Sequence, residues 1–173
     1  LFKTFRKKLP GLHIVAEDLG CVNDRVRRLL KFVGYPGMKV LSFGFGGDEE
    51  NPHLTKNYDT NCVAYTGTHD NDTVGGWIAT ADEKTLRQAK DMLGFERDED
   101  GPWAFDRAVM LSRADTAVLS MQDVLGLGGE ARMNRPGTIG GNWMWRMLPG
   151  AAAPELVAKL KALNEESDRR KQG

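Results

Sequence analysis

Acidic side chains recur at the ends of four short apolar runs, each of which is followed by a loop. The four carboxylates belong to Glu17, Asp48, Asp70 and Asp123. In α/β folds, functional sites lie at the carboxyl ends of parallel strands, where such side chains meet. Each acid taken alone is better explained as a helix cap or a turn former. The four together favour a single functional rim.

Two of these carboxylates suggest chemistry on a glycosidic bond. That reaction needs one protonated carboxyl group to donate to the leaving oxygen and another carboxylate that stays ionised. Glu17 and Asp70 are the best candidates, since Asp70 lies in the polar run 69–72 directly after an apolar strand. A structural hydrogen-bond network explains that run nearly as well. The same acids could instead hold Mg²⁺, whereas the three His and two Cys lack zinc-ligand spacing.

Two further patterns carry less functional weight. Residues 126–131 match the dinucleotide-binding pattern G-x-G-x-x-A, but Pro136 and Gly137 interrupt the helix that this pattern must open. Nicotinamide binding is therefore disfavoured. Trp143 and Trp145 lie beside Asn142 and Arg146, and packing is the favoured explanation of this aromatic cluster.

Composition excludes several classes of protein. The 173 residues carry 24 basic and 24 acidic side chains, so the net charge of zero argues against a dedicated nucleic-acid binder. The basic runs 6–8 and 169–171 are interpreted as solvated helix faces. No apolar run approaches the roughly 20 residues that cross a bilayer, and no signal peptide is recognisable. Cys21 and Cys62 fit buried free thiols, so a reducing, cytoplasmic location is expected.

The alternation of apolar runs with amphipathic segments predicts an α/β fold with a parallel sheet covered by helices. Helices are expected from Asn23 or Asp24 to Gly34, from Asp82 to Gly94 and from Pro102 onward, with a loop at 96–100. A terminal amphipathic helix is expected at 154–170. Strands are expected at 13–16, 39–45, 62–66 and 117–121.

Several of these segments resemble one known family. The sequence reads IVAEDLG at 14–20, PGMKVL at 36–41, NPHLTKNY at 51–58, YTGTHDNDT at 65–73, QDVLGL at 122–127, RMNRPG at 132–137 and GNW at 141–143. In this order they resemble the 4-α-glucanotransferases of glycoside hydrolase family 77, also called amylomaltases or disproportionating enzymes. The resemblance covers nearly the whole chain.

The resemblance implies a (β/α)₈ barrel that transfers an α-1,4-glucan segment to an acceptor sugar with retention of configuration. It implies that Glu17 is the general acid/base and that Asp70 is the carboxylate that stabilises the transition state. His69 is implied as a substrate contact beside Asp70. Asp48 and Asn142 are implied as further sugar contacts. No cofactor and no metal are implied.

One departure from the family pattern changes the expectation for this chain. In the family the nucleophilic aspartate precedes the acid/base glutamate, yet none of the 16 residues before Glu17 is Asp. A full barrel also needs about 250 residues. We therefore expect the C-terminal half of a barrel, strands 5 to 8, filling residues 1–173 as one partial domain. The first residue is not Met, which suggests a fragment or a processed chain.

Three functional alternatives follow. The leading one is a half-barrel of a 4-α-glucanotransferase that is inactive alone. The second is a noncatalytic glucan-binding or assembly fragment, and the third, disfavoured, is a nicotinamide oxidoreductase. Exposed strand edges would favour self-association of such a half-barrel. Its other partners are expected to be α-1,4-glucans and maltooligosaccharides, with neither nucleic acid nor membrane.

Overall fold

A three-stranded parallel sheet forms the centre of the fold. The computed structural model describes residues 2–20 and 22–169. The strands are β1 (Gly37–Val40), β2 (Cys62–Tyr65) and β3 (Thr116–Val118), in the order β1-β2-β3. Met38 is opposite Val63, and Ala64 is opposite Ala117. The predicted α/β class with parallel strands is confirmed.

Helices separate and cover the strands. Those of the described residues are α1 (Phe2–Lys8), α2 (Asp24–Val33), α3 (Val74–Thr80), α4 (Glu83–Leu93), α5 (Gly101–Met110), α6 (Met121–Val124) and α7 (Pro154–Glu166). The terminal helix expected at 154–170 corresponds to α7, and residue 170 lies outside the described residues. The expected loop at 96–100 contains a short 3₁₀ turn, Asp98–Asp100.

The helix boundaries predicted from capping residues are confirmed for α2 and α4. The Asn23 side chain accepts hydrogen bonds from the backbone N–H groups of Arg25 and Val26, and Asp82 accepts one from Thr85. Both helices end at glycines in the left-handed region, with φ of 68° at Gly34 and 71° at Gly94. Such caps are local interactions, which is why the sequence alone predicts them.

The strand predicted at residues 13–16 is wrong. This segment is irregular and makes one backbone hydrogen bond toward the sheet, from the Ala16 N–H to the Pro36 carbonyl at 2.9 Å. A parallel strand needs a ladder of such bonds, and the described residues supply no second strand beside it. The strands predicted at 39–45 and 117–121 are too long, because 3₁₀ and helical turns begin at Leu41 and Met121.

Helix α3 lies outside the predicted helices, and its sequence contains two consecutive glycines, which disfavour a helix. The structure shows why glycine is needed. A Cβ atom on Gly75 would lie 2.8 Å from the Leu127 carbonyl oxygen, and one on Gly76 would lie 2.8 Å from the Gly129 Cα. The loop after α6 therefore packs directly against the backbone of α3.

The hydrophobic core lies where α3, α4 and α5 cover the sheet. At its centre the rings of Phe45, Trp77 and Phe105 contact one another, with centroids 5.3–5.7 Å apart. Ala64 of β2 is fully buried in the same cluster. Cys62 is also buried, as predicted, and burial raises the pKa of its thiol to about 11, which keeps it protonated. Cys21 lies outside the described residues.

Arg169, three residues after the end of α7, connects this helix to the end of α5 and the residues that follow it. Its guanidinium group donates to the carbonyls of Met110 at 2.7 Å, Ser112 at 2.8 Å and Ala114 at 2.7 Å. Arg169 is thus a structural residue and not a solvated charge, while residues 170 and 171 lie outside the described part. No helix in residues 2–20 and 22–169 is long and apolar enough to cross a membrane.

A buried carboxylate, Asp123, joins three elements near the ends of the strands. It is 2% exposed, and its oxygens accept from the Thr66 hydroxyl at 2.7 Å, the Ser120 hydroxyl at 2.6 Å and the Val74 N–H at 2.7 Å. Thr66 follows β2, Val74 begins α3 and Ser120 caps α6. Asp123 therefore fixes the loop after β2 relative to the loop after β3.

A second buried acid, Asp106 of α5, differs from Asp123 in its hydrogen bonding. It is fully buried, and neither carboxyl oxygen has a hydrogen-bond partner among the described residues. Burial, with repulsion from Asp123, raises its pKa to about 8, while Lys159 opposes the rise. Asp106 is therefore uncharged in the folded protein at neutral pH.

Replacing Asp123 with asparagine is expected to destabilise the fold by roughly 2–4 kcal/mol, because an amide cannot accept all three buried hydrogen bonds. Urea unfolding followed by circular dichroism measures this loss. The matched control is Asp91→Asn, an exposed position on α4, which should change the free energy of unfolding little. Equal stability of the Asp123 and Asp91 variants would contradict the bracing role.

Asp106 is expected to make the fold less stable as the pH rises from about 4 to about 8. Its folded pKa exceeds the unfolded value of 3.8, so the unfolded chain gives up the proton first and is favoured increasingly across that window. The slope approaches about 1.4 kcal/mol per pH unit at most. Asp106→Asn should remove this slope and be more stable than the parent at pH 8. Parallel pH–stability curves for the two proteins would refute the assignment.

Candidate active site

A cavity of about 460 Å³ opens at the carboxyl ends of the strands. Its wall is formed by the loops after β2 and β3, by the segment before α2, and by residues from the long loop between α6 and α7. Glu17, His69 and Asp70 all line it. The structure thus brings together three of the five predicted site residues.

A compact turn presents His69 and Asp70 to the cavity. The Asn71 side-chain oxygen accepts hydrogen bonds from the Thr68 N–H at 2.8 Å and the Thr68 hydroxyl at 2.9 Å. The Asp70 N–H in turn donates to the Thr68 hydroxyl at 3.3 Å. These bonds satisfy the backbone and leave the His69 and Asp70 side chains about half exposed. Polar groups that follow a buried strand are therefore tolerated here because they bond to one another.

The Asp70 carboxylate is oriented from two sides. The Asn134 amide donates to its Oδ1 at 2.6 Å, and His69 Nε2 lies 3.3 Å from the same oxygen. Arg132 donates to the Asp70 backbone carbonyl at 2.6 Å and forms an ion pair with Asp72 at 3.5 Å. The loop carrying Arg132 and Asn134 therefore holds the Asp70 turn in place.

Sequence reasoning did not identify Arg132 and Asn134 as site residues. They lie more than 60 positions after Asp70 and show no catalytic spacing relative to it. The only available signal is that they fall in RMNRPG at 132–137, one of the segments that carry the family resemblance. Their contacts with Asp70 follow from the tertiary path of the loop.

Glu17 reaches the cavity because its neighbour Asp18 is anchored to β1. Asp18 Oδ1 accepts a hydrogen bond from the Met38 N–H at 2.7 Å. A side chain at position 37 would collide with this carboxylate, since a Cβ there would lie 2.7 Å from Asp18 Oδ2. Gly37 thus permits the approach, and Glu17 itself remains exposed at the cavity wall.

Asp48 and Asn142 do not line the cavity. Asp48 is exposed in a turn, where its Oδ1 accepts from the Glu50 N–H at 3.0 Å. The Asn142 oxygen accepts from the Arg135 N–H at 2.9 Å, and its amide donates to the Thr138 hydroxyl at 3.1 Å. Both side chains shape loops in this structure, and their contacts with sugar stay predictions.

Two other residues have roles that differ from the expectation. Asp123 borders the cavity, but its oxygens are committed to the buried hydrogen bonds that brace the loops. Trp143, for which packing was favoured, lines the cavity and is 53% exposed. The expected rim of four acids is therefore reduced to Glu17 and Asp70 with an aromatic neighbour.

Among the described residues, the structure provides neither a metal-ion site nor a dinucleotide-binding loop at 126–131. Within the described ranges, no group of three or more His, Cys, Asp or Glu side chains is arranged to hold a metal ion. In the segment 126–131, which matches the dinucleotide pattern, Gly129–Ala131 forms a 3₁₀ turn followed by extended backbone at Arg132. A phosphate-binding loop of that pattern opens an α-helix instead.

Comparisons with known proteins agree on one family. The family model described as 4-alpha-glucanotransferase matches residues 1–151. The 4-alpha-glucanotransferase of Thermus thermophilus is 46% identical over 176 residues, spanning 98% of this chain and 35% of the relative. That of Clostridium butyricum is 43% identical over 164 residues, 94% of this chain and 34% of the relative.

A solved structure extends the likeness to three dimensions. The amylomaltase from Streptococcus agalactiae in complex with acarbose superposes with a TM-score of 0.92 at 34% identity, covering 99% of this chain and 35% of that protein. This chain therefore spans about a third of the length of the proteins it matches. By its sequence and its fold, the chain belongs to the 4-alpha-glucanotransferase family.

Proposed function

We propose that this chain is the part of a 4-α-glucanotransferase that carries the acid/base glutamate and the sugar-gripping aspartate. The observation that carries the proposal is that Glu17, His69 and Asp70 line one cavity at the carboxyl ends of parallel strands. Membership of the family supports it, as does the likeness to an amylomaltase bound to acarbose. The substrates would be α-1,4-glucans and maltooligosaccharides.

The proposed architecture is the C-terminal half of a (β/α)₈ barrel. Parallel strands joined by helices, with the site at the strand ends, support this arrangement. In it β1, β2 and β3 would be barrel strands 6, 7 and 8. The irregular segment at 13–16, which carries Glu17 at its end, would be strand 5 once a neighbouring strand completes its ladder of hydrogen bonds.

The proposed roles follow from where the carboxylates lie. Glu17 is exposed at the cavity wall, so it would protonate the leaving 4-oxygen and then deprotonate the acceptor hydroxyl. Asp70, held by Asn134 and close to His69, would accept hydrogen bonds from hydroxyls of the reacting glucose. Asp48 and Asn142 would contact the glucan further along, on loops outside the cavity wall.

Retaining transfer also requires a nucleophile about 5–5.5 Å from the acid/base. None of the residues preceding Glu17 in this sequence is the aspartate that the family places there. We therefore propose that this chain by itself binds glucans without turning them over. The isolated chain would then act as a noncatalytic glucan-binding fragment. Transferase activity would belong to a longer protein that contains the nucleophile.

The chain is expected to release no glucose from maltotriose, yet to bind maltoheptaose in isothermal titration calorimetry. Asp70→Asn should weaken that binding at least tenfold, because a carboxylate is the better acceptor for sugar hydroxyls. Asp91→Asn on α4 is the control and should bind as the parent does. Glucose release that disappears in Glu17→Gln would overturn the proposed inactivity, and absence of maltoheptaose binding would overturn the glucan site.

Self-association is the second part of the proposal. Within the described residues β3 pairs with β2 on one side only, which leaves a parallel strand with an open edge. Apolar side chains are also exposed on α2, where Phe32 is 62% and Leu29 is 44% exposed. Two such halves that covered these surfaces against each other would bury apolar area that is now in water.

Sedimentation equilibrium at micromolar concentration is expected to show a dimer or a larger assembly. Phe32→Lys should shift the equilibrium toward monomer, because the substitution places a charge in the apolar contact. Val157→Lys, at a site on α7 that is 54% exposed, is the matched control and should leave the assembly intact. A monodisperse monomer for the parent chain would contradict self-association.

A further inference from the structure

Trp143 places an exposed indole ring at the candidate sugar site. It lines the same cavity as Glu17 and Asp70 and is 53% exposed. Its ring centroid lies 5.1 Å from that of His69, with the planes inclined at 36°. His69 in turn lies beside the Asp70 carboxylate. An aromatic face, an imidazole and a carboxylate therefore border one space.

The backbone at Trp143 is held in a conformation that a bulky residue rarely adopts. Its φ is +64°, in the left-handed region that suits glycine or asparagine. Two hydrogen bonds hold it there. The Trp143 N–H donates to the Met133 carbonyl at 2.7 Å, and Arg146 donates to the Trp143 carbonyl at 2.9 Å.

Burial of the ring does not account for a tryptophan at this strained position. Two other tryptophans, Trp77 and Trp103, make packing contacts with neighbouring side chains. Trp77 lies in the aromatic core with Phe45 and Phe105, and Trp103 lies beneath the Lys159 ammonium group at 3.8 Å. Residues held in rare backbone conformations cluster at functional sites, where the surrounding structure enforces them. Trp143 combines such a conformation with an exposed ring that lines the cavity.

The chemistry of a glucose unit fits these surroundings. A pyranose ring presents C–H groups on its faces and hydroxyls around its edge. A ring stacked on the indole would gain apolar contact on one face, while its edge could reach the Asp70 carboxylate and the His69 imidazole. Tryptophan combines a large, rigid apolar face with few side-chain torsions to immobilise, so contact with it costs little conformational entropy.

We propose that Trp143 is a stacking platform for one glucose unit of the bound glucan, acting together with His69 and Asp70 to orient that unit. This inference rests on the proposed function, because it assigns a further contact of the same site. Trp143 would thus determine affinity for the sugar ring, while Asp70 interacts with its hydroxyls.

Calorimetric titration with maltoheptaose tests the platform. Trp143→Ala is expected to weaken binding at least tenfold, whereas Trp143→Phe should retain part of the affinity because it keeps an aromatic face. Trp103→Phe, remote from the cavity, should bind as the parent does. Cellohexaose, whose β-linkages follow a different path, is expected to bind more weakly than maltoheptaose. Unchanged maltoheptaose affinity in Trp143→Ala overturns the inference.

Trp143→Gly separates a binding role from a packing role. Glycine relieves the left-handed strain, so the melting temperature should stay the same or rise while maltoheptaose binding is lost. A fall of several degrees in melting temperature would instead assign Trp143 to packing and overturn the platform. Different outcomes test the proposed function. It is overturned if the parent does not bind maltoheptaose or if Asp70→Asn leaves the affinity unchanged. Loss of binding in Asp70→Asn with normal binding in Trp143→Ala rejects the platform alone.

Discussion

The arrangement of the site depends on one buried interaction, the three hydrogen bonds accepted by the Asp123 carboxylate. They connect the residue after β2, the first residue of α3 and the cap of α6. Parallel strands are joined only by distant crossovers, so their ends need a cross-connection if the loops that follow are to meet in a defined geometry. Asp123 supplies it beneath the turn that presents His69 and Asp70. A carboxylate that sequence patterning placed on the functional rim is thus the brace below it.

Two acids in the same core illustrate how environment determines the state of a side chain. Asp123 is buried with three donors, whereas Asp106 is buried with none among the described residues. The first is stabilising as a hydrogen-bonded carboxylate, and the second is tolerated because burial raises its pKa and keeps it uncharged. Their opposite effects on stability arise from contacts and not from residue type.

The candidate site joins a buried, hydrogen-bonded base to an exposed rim. Below, Thr66 and Asp123 are buried, and above them His69, Asp70 and Trp143 are about half exposed. The loop after α6 contributes twice, through the Asn134 contact on Asp70 and through Trp143 beside His69. The chain that carries this exposed rim spans about a third of the length of its relatives.

The sequence alone determined features whose causes are local. Caps at Asn23 and Asp82 and the glycines that end α2 and α4 act within one turn, and the motif from Tyr65 to Thr73 indicated the site loop and the family. Contacts between distant segments were decided only by the tertiary structure. It made α3 helical through close packing at its glycines, left 13–16 without a strand, assigned Asp123 to the interior and brought Asn134 and Trp143 to Asp70 and His69. Such contacts depend on the path of the whole chain, and no local pattern encodes them.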